Sequence, residues 1–375
     1  MNSKNLISFS KPFQLNFDSV EKKLSKVLRS PNWSKGKYGE KFERACEDFL
    51  GVKYAVAVSS CTSGLCLALA SLKKSGEVIV PGYSFAAVVN AIIWNGLKPR
   101  FVDVDPFYGN IDPEQVENTI STKTAAILPV CNYGFPPDFG KLQRIAKKYG
   151  IPLIIDSAQA FGASFQGIKS GGFGDAEVFS LSLSKIITTA EGGIVTTNNK
   201  QFADFIRKGR NYGKSKNGLF QFAGLSCRLS EFHSIIGIEM VKNIKSILKN
   251  RSLVAKKYYE ELQDFPGISI PPLNYQIKPS FNYLVIFIHS PFSRNMRNLV
   301  LNELENHGID ARKFFSPPAY KHPAYKGYIS KGYRLKVCDK LASQCLALPM
   351  YPGMSYRNIT KICQIIKCFL KRAQT

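Results

Sequence analysis

A chain of 375 residues, 45% of them hydrophobic, is long enough to bury a large core, and its formal charge of +24 marks a strongly basic surface. No stretch is long and apolar enough to span a bilayer, and residues 1–5 lack the apolar core of a signal peptide. Nine cysteines without a C-x-x-C pair, and four scattered histidines, suggest neither a disulfide framework nor a metal site, and point to the reducing cytoplasm.

In chain order, β-type apolar runs at 55–60, 77–82, 100–105, 125–131, 152–158, 177–182 and 193–198 predict seven strands. Helical segments such as 113–120 and 139–149 separate them. That alternation predicts an α/β fold with a mainly parallel sheet and helices on both faces. The helical stretch 230–262 changes the rhythm and bridges to a smaller α+β domain. There a strand at 283–288, a helix at 294–307 and a final helix at 356–370 are expected. The expected division is a large domain with the N-terminal segment over 1–245 and a small C-terminal domain over 246–375. The basic residues are spread along the chain, with no basic arm and no nucleic-acid motif. The charge therefore suits an enzyme with an anionic substrate as well as it suits a membrane surface. Residues 209–215 resemble a Walker A loop one residue short, and no G-x-G-x-x-G follows the first strand. His233, His289, His307 and His322 lack the context of a hydrolase.

The chemistry concentrates where strands end. The run 152–155 leads into Asp156, which places a carboxylate at the carboxyl end of a buried strand, the edge where open α/β sheets bind ligands. The run 177–182 leads into Lys185, so the amine emerges near the same edge. An acid facing a lysine is what pyridoxal phosphate chemistry needs: the lysine carries the cofactor as a Schiff base and the acid keeps the pyridine nitrogen protonated. On these two residues alone, a structural Asp–Lys pair in an ordinary α/β domain reads as well. The strand 55–60 is followed by Cys61, Thr62, Ser63 and Gly64, then apolar residues at helical spacing. Hydroxyls at a helix start, with the unpaired N–H groups there, suit a phosphate. A plain N-cap accounts for one hydroxyl but not for the run. Phe85, after the strand 77–82, sets an aromatic at the same edge, for core packing or to cover a flat ring.

Taken together, these segments resemble the DegT/StrS-type sugar aminotransferases, a fold-type I family that uses pyridoxal phosphate on nucleotide-linked keto sugars. The resemblance runs through 38–49, 59–69, 81–90, 101–105, 129–136, 156–162, 174–195, 228–237 and 346–352, nearly the whole chain in order. It implies Lys185 and Asp156 as catalytic residues, the latter opposite the ring nitrogen. Phe85 is expected on one ring face and Ala158 on the other. Gln159 is expected to donate to the phenolic oxygen, and Thr62, Ser63 and Ser180 to hold the phosphate. Phe314, Phe315 and Tyr320 match the segment that lies near the nucleotide sugar, with packing of the small domain as the alternative. The expected reaction moves an amino group from glutamate to C4 of a dTDP-linked 4-keto-6-deoxyhexose, as in O-antigen synthesis, with C3 amination of a 3-keto sugar the alternative. A homodimer with a shared site is implied, in which relatives send an Asn to the partner's phosphate where this chain has Ser226. The chain also departs from the pattern at Ser157 and Ser182. Such departures leave room for a regulator that senses an amino sugar without turning it over. A sugar dehydratase of the same fold carries histidine in place of Lys185.

Overall fold

The computed structural model describes residues 6–34, 36–289 and 295–373. Seven strands form the large sheet: β1 (Tyr54–Val58), β2 (Glu77–Pro81), β3 (Lys98–Val102), β4 (Thr124–Ile127), β5 (Ile154–Asp156), β6 (Ala176–Ser180) and β7 (Gly193–Thr197). Hydrogen bonding gives one block in the order β3-β2-β4 and another in the order β1-β7-β6-β5. Parallel bridges from Ile127 to Leu153 and from Val130 to Asp156 set β4 beside β5 and join the blocks. The spatial order is therefore β3-β2-β4-β5-β6-β7-β1, parallel except for β7, which runs against both neighbours.

These runs become strands because their Val, Ile and Ala side chains are buried on both faces. Alternation along β1 shows the two layers. Val56 and Val58 pack in the cluster with Leu65 of the helix Cys61–Ala70. Ala55 and Ala57 pack with Phe42 and Cys46 of the helix Lys37–Leu50. Each fully buried valine or isoleucine contributes about 1.5–3 kcal/mol.

The C-terminal part is an antiparallel sheet of Ile268–Ser269, Leu284–Ile288 and Cys345–Leu348, with helices including Ile244–Leu262, Met296–Asn306 and Tyr356–Arg372. The expected helix 230–262 is two helices, Glu231–Lys242 and Ile244–Leu262, joined at Asn243, whose side chain donates to the Glu239 carbonyl. Arg294, the expected start of the next helix, lies outside the described residues. The N-terminal segment does not stay with the large sheet. Ile7 bridges Ile309, and the Phe9 carbonyl accepts from Met350 N, so residues 7–9 lie against the C-terminal part before the chain crosses over.

Candidate active site

One edge of the sheet collects the ends of four strands and the start of a fifth. β5 and β6 run parallel, and β1 has the same direction because β7 opposes both β1 and β6. Gly193, at the start of β7, lies opposite Val58 at the end of β1 and opposite Ser180 at the end of β6. β2 shares this direction through β4. Asp156, Ser180, the start of helix Cys61–Ala70 and the 82–85 turn therefore meet at one rim.

Asp156 closes β5 and is 4% exposed. Its Oδ1 accepts from the Ala158 N–H at 2.8 Å and lies 3.9 Å from the Cys61 Sγ. Among the described residues no hydrogen bond reaches Oδ2. Burial pushes the carboxyl up to about 6, against the pull of the Ala158 N–H, the Lys185 charge and the Cys61 thiol. A cation or N–H donor at Oδ2 would hold it ionised.

Lys185 sits in the irregular segment between β6 and β7, half-buried, with its N–H donating to the Ser182 carbonyl at 3.0 Å. Its Nζ lies 5.5 Å from the centre of the Tyr283 ring. Tyr283 comes from the C-terminal part, and its phenol is 2.9 Å from Ser184 Oγ. Burial alone would raise that phenol, yet the Lys185 charge and the bonds to Ser184 and Lys185 outweigh it and leave the phenol below its ordinary range. The two parts of the molecule thus meet at the amine.

The helix Cys61–Ala70 points its N-terminus at the same rim. Ser60 caps it: Ser60 Oγ accepts from Ser63 N at 3.1 Å, and Ser63 Oγ accepts from Ser60 N at 3.2 Å. The Ser63 hydroxyl, expected to hold a phosphate, is thereby committed to the cap and also donates to the Ser60 carbonyl at 2.8 Å. The N–H groups of Cys61 and Thr62, and the half-buried Thr62 hydroxyl, remain as donors at the positive end of the helix. Ser180 adds a hydroxyl from the end of β6, 3.3 Å from Ser182 Oγ. Gly193 explains how the helix comes so close, because a Cβ there would lie 2.6 Å from Ser60 C and 2.7 Å from Cys61 N.

Phe85 precedes the helix Ala86–Trp94 and is 61% exposed, so a ring face is open. Ala158 is half-buried beside Asp156. Gln159 is buried, and its Oε1 accepts from Tyr133 N at 2.7 Å, which turns the amide NH2 into the side free to donate. Phe314 packs 4.9 Å from the Tyr283 ring and 5.7 Å from Phe9. Phe315 lies 6.4 Å from Phe85, with Tyr83 and Tyr133 on its other sides. The phenols of Tyr83 and Tyr133 both donate to the Phe314 carbonyl and so tie this loop to the large sheet. Tyr320 departs from the expectation. It is fully buried, its hydroxyl donates to Asp339 Oδ1 at 2.6 Å, and its ring packs near Phe101 and Tyr333, so it joins the two parts rather than facing a ligand. Ser226 is exposed on a different segment and accepts from Arg228 Nη2 at 3.3 Å.

These groups fit pyridoxal phosphate. The free Oδ2 of Asp156 suits a ring N–H, the helix start suits a phosphate, the amide of Gln159 suits a phenolic oxygen, and the Lys185 amine stands beside them. Sequence reasoning missed Phe9 and Tyr283 as site residues, since each lies far along the chain from Lys185 and neither carries a local motif. It also missed Cys61 as a neighbour of Asp156, although Cys61 stands next to Thr62 in the helix-start run.

The model of the DegT/DnrJ/EryC1/StrS aminotransferase family matches residues 17–367. The dTDP-4-amino-4,6-dideoxy-D-glucose transaminase of Escherichia coli is 32% identical over 326 residues, 86% of this chain and 87% of that protein. The UDP-2-acetamido-2-deoxy-3-oxo-D-glucuronate aminotransferase of Pseudomonas aeruginosa is 30% identical over 349 residues, 92% of this chain and 94% of that protein. Among solved structures, Helicobacter pylori PseC, an aminotransferase involved in the biosynthesis of pseudoaminic acid, superposes with a TM-score of 0.91 at 29% identity, covering 99% of this chain and all of that one.

Proposed function

Because the chain belongs to the DegT/DnrJ/EryC1/StrS aminotransferase family, and is a pyridoxal phosphate-dependent sugar aminotransferase, we propose that it transfers an amino group from glutamate to C4 of a dTDP-linked 4-keto-6-deoxyhexose. The C4 reading is supported by the Escherichia coli relative, whose name specifies a 4-amino-4,6-dideoxy sugar. Amination of a 3-keto sugar is the second reading, favoured by the Pseudomonas aeruginosa relative, which acts on a 3-oxo sugar. The reaction belongs in the cytoplasm, where nucleotide sugars and glutamate are both at hand.

Pyridoxal phosphate supplies the electron sink that lets the donor's Cα–H bond ionise. Asp156 Oδ2 would keep the cofactor's ring nitrogen protonated through a charge-assisted hydrogen bond. Lys185 Nζ would act as the base that takes the donor's Cα proton and as the acid that gives a proton back, for the donor and for the keto sugar alike. The N–H groups at the start of Cys61–Ala70, with Thr62 and Ser180, would hold the phosphate. Ser63 acts at one remove by fixing the cap. Phe85 would cover one ring face and Ala158 the other, while Gln159 would donate to the phenolic oxygen. Phe314 and Phe315 stand where the sugar nucleotide enters. In a homodimer, Ser226 of each protomer would face the phosphate held by its partner and bond it through a water, being shorter than an asparagine. The convergence of Asp156 and Lys185 at adjoining strand ends carries this reading.

The test is a panel of dTDP-, GDP- and UDP-linked keto sugars incubated with isotope-labelled glutamate and read by mass spectrometry, with the aminated carbon placed by NMR. Label in a 4-amino-6-deoxy product of a dTDP sugar is the expected result. Label only in a 3-amino product would move the reading to C3, and alanine rather than glutamate as donor would overturn the donor assignment.

A further inference from the structure

We propose that the face built from the hairpin strands Ser164–Phe165 and Ile168–Lys169 and the helix Ile244–Leu262 docks on an anionic phospholipid bilayer. A groove of about 1180 Å³ opens there, away from the Asp156–Lys185 rim. Lys169, Lys242, Lys245, Lys249 and Lys278 line it, against a single acid, Asp48. Among the described residues Lys245, Lys249 and Lys278 make no ion pair, whereas Lys242 pairs with Glu239 at 3.0 Å. Lys245 and Lys249 stand four apart on the helix Ile244–Leu262, a like-charge pair that disfavours itself unless an anion sits opposite, and Lys242 closes the preceding helix.

The lining is also apolar, with Leu248, Ile238 and Phe281 in it. Leu253 in the lining is 43% exposed, and Ile168, between the lining residues Gly167 and Lys169 in the chain, is 60% exposed. Apolar tips flanked by lysines are what a bilayer interface rewards: the tips enter the headgroup boundary while the ammonium groups stay with the phosphates. A single-stranded nucleic acid would want open aromatic faces. The groove offers none, because Phe49 stacks on Phe161 at 5.5 Å with Lys169 over its ring at 5.0 Å, and Phe281 is buried against Phe135 and Tyr259. The net charge of +24 adds long-range attraction to an anionic surface. Among the described residues no helix is long and apolar enough to cross a membrane, so the contact is peripheral.

The experiment floats the full chain with phosphatidylcholine vesicles, with and without one-third phosphatidylglycerol, at low and physiological salt. Binding should require the anionic lipid and weaken with salt. Lys245→Gln, Lys249→Gln and Lys278→Gln should each weaken it about five-fold, and together on the order of 100-fold. Neutralising Lys22, Lys26 and Lys331, which lie outside the groove, should leave most of the binding. Ile168→Ser with Leu253→Ser should weaken vesicle binding while leaving any retention on soluble polyuridylate unchanged. All of these variants should keep wild-type turnover in solution. The proposal fails if the wild type ignores anionic vesicles at low salt, or if the distant lysines matter as much as the groove lysines. It also fails if Ile168→Ser with Leu253→Ser leaves vesicle binding intact, which would assign the groove to a soluble polyanion or an acidic protein.

Discussion

Asp156 and Glu177 lie on adjoining strands, both with buried carboxyls, yet their surroundings prepare them for different work. Among the described residues Asp156 keeps one oxygen without a partner, while Glu177 accepts from the N–H groups of Gly171 and Phe173 and from the Ser157 hydroxyl. Ile155, not Asp156, is the register partner of Glu177, so the two acids face opposite sides of the sheet. Glu177 therefore pins the 171–173 loop, and Ser157, a departure from the family pattern, is one of its anchors. Asp156→Asn should slow turnover by roughly 10- to 100-fold, the equivalent of a charged hydrogen bond of about 1.5–3 kcal/mol, as steady-state kcat would show. Burial pushes Glu177 up to about 7, against the hydrogen bonds it accepts. An acid whose pKa is raised on folding stabilises the fold below its unfolded pKa and loses that contribution as pH rises through the folded value. Between about pH 4.5 and 7 this carboxyl should therefore cost the fold about 3 kcal/mol. Urea unfolding at pH 5 and pH 8 should show Glu177→Gln gaining on the wild type at the higher pH, and a gap that does not change with pH would refute it.

At the scale of elements, the site depends on how closely the helix Cys61–Ala70 lies on the sheet. A Cβ on Gly64 would lie 2.7 Å from Val178, and one on Gly193 would meet the backbone of Ser60 and Cys61. Gly193→Ala should therefore lift the helix start from β7, lower stability by about 1–3 kcal/mol and weaken cofactor retention, measured by thermal melting with and without cofactor. Cofactor affinity equal to wild type would separate the helix start from the phosphate. The sheet was legible in the sequence because its strands are short runs of β-branched and small apolar residues, and all seven form within a few residues of the expected bounds. The helices Phe17–Leu28 and Lys37–Leu50 were not read as elements, since their apolar stripes are narrow and their other faces are charged. The two-residue strands of the hairpin Ser164–Lys169 are too short to leave a periodic signal. Asp156 and Lys185 announce themselves by ending apolar runs. Tyr320 misleads because its position does not tell that the ring turns inward to Asp339, and Tyr283 is silent because it meets Lys185 only through the fold.

Across the whole molecule, the site draws on distant parts of the chain: Phe9 and Phe314 pack on Tyr283, whose ring lies beside Lys185, while the sheet rim supplies the rest. Ser226 stands exposed, and in the proposed homodimer it would reach less far toward a second protomer's phosphate than an asparagine would. Ser226→Asn should slow cofactor loss on dialysis, by the equivalent of about 1.5–3 kcal/mol for a regained bond to a charged group. Unchanged loss would remove Ser226 from the shared site, and a fully active monomer in sedimentation would remove the sharing itself. Lys185 is the amine proposed to carry the cofactor. Borohydride reduction of the yellow holoprotein, followed by peptide mapping, tests it most directly. The modified residue should be Lys185, and Lys185→Ala should bind the cofactor only reversibly and lose turnover by several orders of magnitude. Label on another lysine, or normal turnover in Lys185→Ala, would contradict the account.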